Sequence, residues 1–263
     1  MKRKNNLGVW LFVVSFVFLN KLEITSAQDF EGVIEQVVTT QSSSGGGESE
    51  EQKEIIYLRS NMMRIDEPDE NQTTIIRLDK EFLWHIDHNA KTYTQVSFKQ
   101  MRQGMQDVQR IMQEAMKNMT PEQRQMMENM GMKMPGMSPP KHYQLKKTGK
   151  KEKINGYRCE QYLLVKGDQN ETEEWWVTKD LGSFQNFGKM LAKMFAGMSG
   201  GMTAAVEAMA KLEGIPIKTI EKEGDEVRIS KVTKITKASV NKTQFEVPEG
   251  YKMEEMPQMP FGK

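Results

Sequence analysis

Methionine is the residue type from which chemistry could be built in this sequence. The chain has 22 methionines in 263 residues, eleven of them between Met101 and Met137 and five between Met190 and Met209. Met130, Met132, Met134 and Met137 make an M-x-M-x-M-x-x-M cluster in a segment interrupted by Pro135, Gly136, Pro139 and Pro140. Thioether sulfur is a soft ligand that favours Cu(I), although no nearby histidine or cysteine strengthens the cluster. Elsewhere the spacing is helical. Met101, Met105, Met112, Met116 and Met119, together with Val108, step by three or four residues and fall on one stripe of a helix. Phe187, Met190 and Met194, with Phe184, Leu191 and Phe195, make a second stripe. In one reading such stripes are ordinary core. In another they line an adaptable pocket, because an unbranched thioether with three rotatable bonds repacks around apolar guests of different shape.

Other catalytic chemistry finds no footing. The sequence holds no G-x-S-x-G elbow, no H-E-x-x-H pair and no phosphate-binding glycine loop. Of three histidines, His85 and His88 lie three apart, which on a strand aims them at opposite faces. Cys159 is the only cysteine, so no intrachain disulfide can form, and a lone buried thiol behaves as a small hydrophobe. Trp175 and Trp176 point one ring to each face of a strand, one into a core and the other toward a rim. The expectation is a protein with no catalytic residues and no cofactor. Lys and Arg total 37 against 36 Asp and Glu, so no basic excess points to nucleic acid.

The elements that would position these residues begin after a leader. Lys2, Arg3 and Lys4 precede an apolar run over residues 7–19, and Thr25-Ser26-Ala27 offers a small-residue cleavage site. About a dozen apolar residues fall short of a membrane span, which needs roughly 20. Residues 1–27 are therefore expected to be a signal peptide, residues 28–252 a single domain, and residues 253–263 a flexible tail. Within the domain, strands are expected over 30–40, 55–59, 62–66, 73–78, 82–86 and 92–98, with a Ser/Gly-rich hairpin loop over 41–51. Two helices then follow, the second opened by the capping box Thr120-Pro121-Glu122-Gln123. Strands return near His142 and flank the hairpin signal Asn155-Gly156. Residues 183–196 and 203–212 read as helices, and 215–222, 227–238 and 243–251 as the last strands. Runs of antiparallel strands interrupted by helices belong to α+β architecture.

Several short segments resemble a known group. They are Met62-Met63-Arg64-Ile65-Asp66, Ile75-Ile76-Arg77-Leu78-Asp79, Phe82-Leu83-Trp84-His85-Ile86-Asp87 with Lys91-Thr92-Tyr93, Asn155-Gly156-Tyr157-Arg158-Cys159-Glu160-Gln161-Tyr162, and the closing Phe245-Glu246-Val247-Pro248-Glu249-Gly250-Tyr251. In this order they are similar to a methionine-rich exported bacterial family, domain of unknown function 4412, within the LolA/LolB-like lipoprotein-carrier group. The resemblance implies a strongly curved antiparallel sheet, a half-barrel, with methionine-rich helices over its concave face. In the carriers that covered cavity holds acyl chains, and Arg64 aligns with one of their strand arginines. The chain departs from them by a helical insertion over about residues 99–140.

The function expected is that of an exported, non-enzymatic binding protein, periplasmic or secreted and soluble, that takes a hydrophobic small molecule or lipid. Met101, Met105, Met112, Met116, Met119, Phe187, Met190 and Met194 would line the site. The alternatives are Cu(I) binding at Met130, Met132, Met134 and Met137, or an interaction module with an envelope protein partner.

Overall fold

The structure, a computed structural model, describes residues 29–42, 49–120, 143–166, 171–195 and 201–255. The expected signal peptide, the helix expected beyond Thr120, and the cluster of Met130, Met132, Met134 and Met137 lie outside the described residues. The chain is mostly sheet with few helices. Strands β1 (Gly32–Ser42), β2 (Glu50–Arg59), β3 (Met62–Glu67), β4 (Gln72–Arg77), β5 (Phe82–Asp87) and β6 (Thr92–Ser97) form an antiparallel meander that runs into helix α1 (Phe98–Lys117). Then come β7 (Tyr143–Ile154), β8 (Tyr157–Lys166), β9 (Glu171–Thr178), helices α2 (Gln185–Phe195) and α3 (Gly201–Ala210), β10 (Ile215–Glu223), β11 (Glu226–Lys237) and the short β12 (Lys252–Glu254). All twelve strands join one open sheet in the order β12-β6-β5-β4-β3-β2-β1-β11-β10-β9-β8-β7. Every pairing is antiparallel except that of β12 with β6.

Turn chemistry explains the meander. Asn155 and Gly156 take φ of 49° and 87°, the two left-handed residues of a tight hairpin, as the Asn-Gly signal predicts. Helix α1 starts earlier than the methionine spacing alone suggests, because Ser97 and Gln100 form a reciprocal cap. The Gln100 amide donates to Ser97 Oγ at 3.0 Å, and the Ser97 amide donates to Gln100 Oε1 at 3.1 Å.

The sheet also bends. Register shifts interrupt β1 against β11, β10 against β9, and β7 against β8, and each such bulge kinks its strand and raises its twist. Strands β10 and β11 pair only from Lys218↔Lys231 to Glu223↔Glu226, so residues 215–217 and 232–237 are not partners. A core of Phe30, Ile34, Leu58, Cys159, Trp176, Ile215, Ile217 and Val232 fills that divide. Asn155, at the β7–β8 turn, donates from its side chain to the Val232 carbonyl of β11. A flat sheet would keep β8 and β11 roughly 14 Å apart, at ~4.8 Å per strand, so this bond requires the sheet to curl. Both tryptophans are buried: Trp176 in the divide, and Trp175 with Tyr162, Leu164 and Val177 beneath Ala208 and Leu212 of the α3 segment. Neither supplies the exposed rim ring expected from the sequence.

The strand expected over residues 243–251 is absent. The side chain of Asn241 accepts from the Thr243 amide at 3.1 Å, which closes a 3-10 turn over Lys242–Phe245, and the chain then crosses the sheet as an irregular strap. It rejoins the sheet where Lys252, Met253 and Glu254 pair with Thr92, Tyr93 and Thr94. Met253 and Glu254, expected to open a loose tail, are therefore paired in β12.

Helices α2 and α3 touch through glycine. A Cβ on Gly188 would sit 3.0 Å from Ala210 Cα and 3.1 Å from its amide nitrogen, with backbone on the receiving side. Gly188→Val is expected to cost about 2 kcal/mol, because the helices must separate and helix propensity returns well under 1 kcal/mol. Urea unfolding would measure it, and an unchanged midpoint would show that this contact is not tight.

Candidate functional site

Antiparallel partners share a face of the sheet, so the register shows which side chains line each side. One row crosses five strands as Leu58↔Met63↔Ile76↔Leu83↔Val96 and is wholly apolar. Two residues along each strand, on the same face, a mixed row runs Ile56↔Ile65↔Thr74↔His85↔Thr94. Two further along, a polar row runs Glu67↔Gln72↔Asp87↔Thr92. Leu58 is buried, but the other residues of all three rows are only half-buried.

The opposite face is closed. The strap lays Val240 and Phe245 onto Met62, Ile75, Trp84 and Ile86, with Val33, Tyr57, Phe82, Tyr93, Val247 and Tyr251 packed around them. Three strand arginines hold the strap by its carbonyls. Arg59 donates to Val240 O, Arg64 to Gln244 O at 3.0 Å, and Arg77 to Phe245 O at 3.1 Å. Arg64 also donates to Asp66 at 2.7 Å, so the arginine likened to one in the lipoprotein carriers is engaged away from the open rows. His88 bridges Thr73 at 2.8 Å and the Tyr251 hydroxyl at 2.7 Å on this closed face. His85 lies on the open one, 3.4 Å from Thr74 Oγ1, and this is the opposition that the spacing predicts.

At the apolar end of the open face, α1 and α2 meet the sheet. Met101, Phe187, Met190 and Met194 come together there with Met63, Ile76, Leu78, Phe98, Leu191 and Phe195. Phe187 and Phe195 are buried, whereas Met63, Met101, Met190 and Met194 keep partial exposure. Arg102 ties the helices together by donating to the Met194 carbonyl at 2.8 Å, and Phe98 packs edge-on against Phe195 with centroids 5.7 Å apart. Four of the eight expected lining residues thus share one cluster. Met105, Met112 and Met116 lie on α1, but their side chains are outside the described ones. Met119 falls beyond the last residue of α1, Lys117, so it does not extend the helical stripe. The sequence reading missed Met63, Ile76, Leu83 and Val96, whose common face follows only from the hairpin registers.

A separate groove of about 570 Å3 lies where β7 and β8 meet the end of α3, lined by Leu145, Tyr162, Lys146, Lys147, Lys211, Gln144 and Glu213. It is not where the methionine stripes converge. Among the described residues no group of three or more His, Cys, Asp or Glu is poised to hold a metal ion, and no helix is long and apolar enough to cross a membrane. Burial pushes the Cys159 thiol above its ordinary range, which suits a packing role.

The profile of a family described as Domain of unknown function (DUF4412) matches residues 106–251. The chain belongs to this family. The matched segment runs from within α1 to Tyr251 in the strap, so strands β1–β6 and their open rows precede it. Similar solved structures include an uncharacterized conserved protein from Thermus thermophilus, 9% identical over 84% of this chain and 90% of that one, with a TM-score of 0.42. PNGF-II is 13% identical over 85% of this chain but only 31% of its own, with a TM-score of 0.39. A LolA superfamily protein from Nitrosomonas europaea is 10% identical over 82% and 90% of the two chains, with a TM-score of 0.33. The family is the one that the sequence motifs indicate. No curated protein matches the chain.

Proposed function

We propose that this chain is an exported, non-enzymatic protein that binds an apolar, acyl-like ligand on the open face of β2–β6, beneath α1 and α2. The observation that carries this reading is the half-buried row Met63, Ile76, Leu83 and Val96, of which Met63 and Ile76 join the cluster that holds Met101, Met190 and Met194. A five-strand apolar row left partly open to solvent gains free energy from any apolar cover, at about 25 cal/mol per Å2 removed from water. Thioethers at its margin let the cover fit guests of more than one shape. In this reading the curled sheet is a half-barrel, the helices lean over its concave face, and residues 1–27 direct export. The Cu(I) alternative rests on residues outside the described ones and gains no support from Met101, Met190 or Met194, which pack among apolar side chains.

Solvent extraction and native mass spectrometry of the purified protein are expected to release a hydrophobic small molecule. Leu83→Asp places a carboxylate in the middle of the row and is expected to weaken binding of an uncharged naphthyl fluorophore by about tenfold or more. A wild-type protein that carries no such molecule and takes up no apolar probe would sink the proposal.

A further inference from the structure

We infer that the ligand of this face is an amphiphile with an uncharged or cationic, hydrogen-bonding headgroup seated at the Glu67 end of the rows. This rests on the binding reading above and adds polarity and direction to it. Along each strand the face changes from the apolar row at Ile76, through Thr74 and His85, to the polar row at Glu67, Gln72 and Asp87. At ~3.4 Å per residue, the first and last rows are roughly 14 Å apart. A purely apolar guest long enough to lie along the strands would place its far end against carboxylates. A molecule with one apolar and one polar end matches both ends at once.

The sign of the headgroup follows from the charges at that end. Glu54 is already engaged by Gln36 at 2.6 Å and Arg228 at 3.2 Å, and Asp87 accepts the Asn89 and Ala90 amides at 2.8 and 2.9 Å. The Glu67 carboxylate accepts no hydrogen bond from the described residues. It is half-buried, and burial together with Glu70 and Glu54 pushes its pKa up. A partly dehydrated carboxylate without a donor is satisfied by a hydroxyl, an amide or an ammonium, and it disfavours a second anion. His85 and Arg228 are the basic side chains whose charge acts on it, and Arg228 is occupied by Glu54.

Displacement of N-phenylnaphthylamine at pH 7 separates the possibilities, using dodecylammonium, monododecanoylglycerol and dodecanoate as competitors. The ammonium and the glyceride are expected to compete at concentrations about tenfold lower than dodecanoate, and Glu67→Gln is expected to narrow that gap to about threefold. Leu83→Asp should remove displacement by all three, which distinguishes this face from the lysine-lined groove. Equal competition by dodecanoate, or an unchanged preference in Glu67→Gln, would overturn the headgroup inference and leave the apolar site standing. Absence of any probe binding to the wild type would overturn both.

Discussion

Replacing Phe245 with alanine is expected to destabilise the protein by about 3–5 kcal/mol, the range for emptying a fully enclosed phenylalanine site. In a chain of this size that loss lowers the melting temperature by roughly 6–20 °C. The ring has no exposed surface and sits among Met62, Ile75, Trp84, Ile86 and Val240. Four of those neighbours are held in paired strands, so the walls of the cavity cannot relax into it. The strap has little else in sheet geometry, because its pairing with β6 is limited to Lys252, Met253 and Glu254. Phe245→Leu should recover more than half of the loss. Thermal and urea unfolding of the two variants test the claim. A cost below about 1 kcal/mol for the alanine variant would mean that the strap is an ornament on the sheet rather than half of its core.

That strap shows where reading the sequence reaches its limit. Phe245, Val247 and Tyr251 fall at even spacing, the period of a half-buried strand, with Glu249 the one break on that side. The alternation is physically genuine, since those three side chains face the cluster around Ile75 and Trp84. Period two reports only that one side is dry, and it does not require a hydrogen-bonded neighbour. The β3–β6 meander was legible because alternation and turn residues coincide there. The start of α1 was equally written in Ser97 and Gln100, although the methionine spacing drew the eye to Met101. The helical half of the candidate site was readable for the same local reason, as Phe187, Met190 and Met194 recur at helical spacing. Its sheet half was not. Met62 and Met63 are chemically identical neighbours on opposite faces, and only the pairing of Met63 with Leu58 and Ile76 assigns it to the open row. Register is set by turn geometry across four hairpins, information that no single strand contains.

Arg77→Leu is expected to cost about 3 kcal/mol at pH 7 and to remove much of the protein's sensitivity to acid. The guanidinium is buried and donates to Asp79 at 2.8 and 2.7 Å, to Phe245 O at 3.1 Å, and to Glu246. Breaking a buried charge pair costs roughly 3–5 kcal/mol. Here Asp79 and Glu246 retain 29% and 45% exposure and can rehydrate, which places the expected loss at the lower end. The bond from Arg77 holds the Asp79 carboxyl below its ordinary range. Burial alone would raise Glu246, but the bonds from Arg77 and Lys80 outweigh it and leave that carboxyl lowered as well. Carboxylates depressed by folding contribute stability that is fully present above their unfolded pKa and is lost as pH falls through the folded one. The wild-type protein should therefore weaken progressively as pH falls through about 4.5, where a carboxyl of Glu246's ordinary pKa is half protonated. In Arg77→Leu that limb should flatten, so that the two melting curves converge in acid and differ most near neutrality. A gap that stayed constant from pH 7 to about pH 3 would show that Arg77 acts by packing alone. Combined with Phe245→Ala, the substitution should cost less than the sum of the two single losses, because both release the same strap.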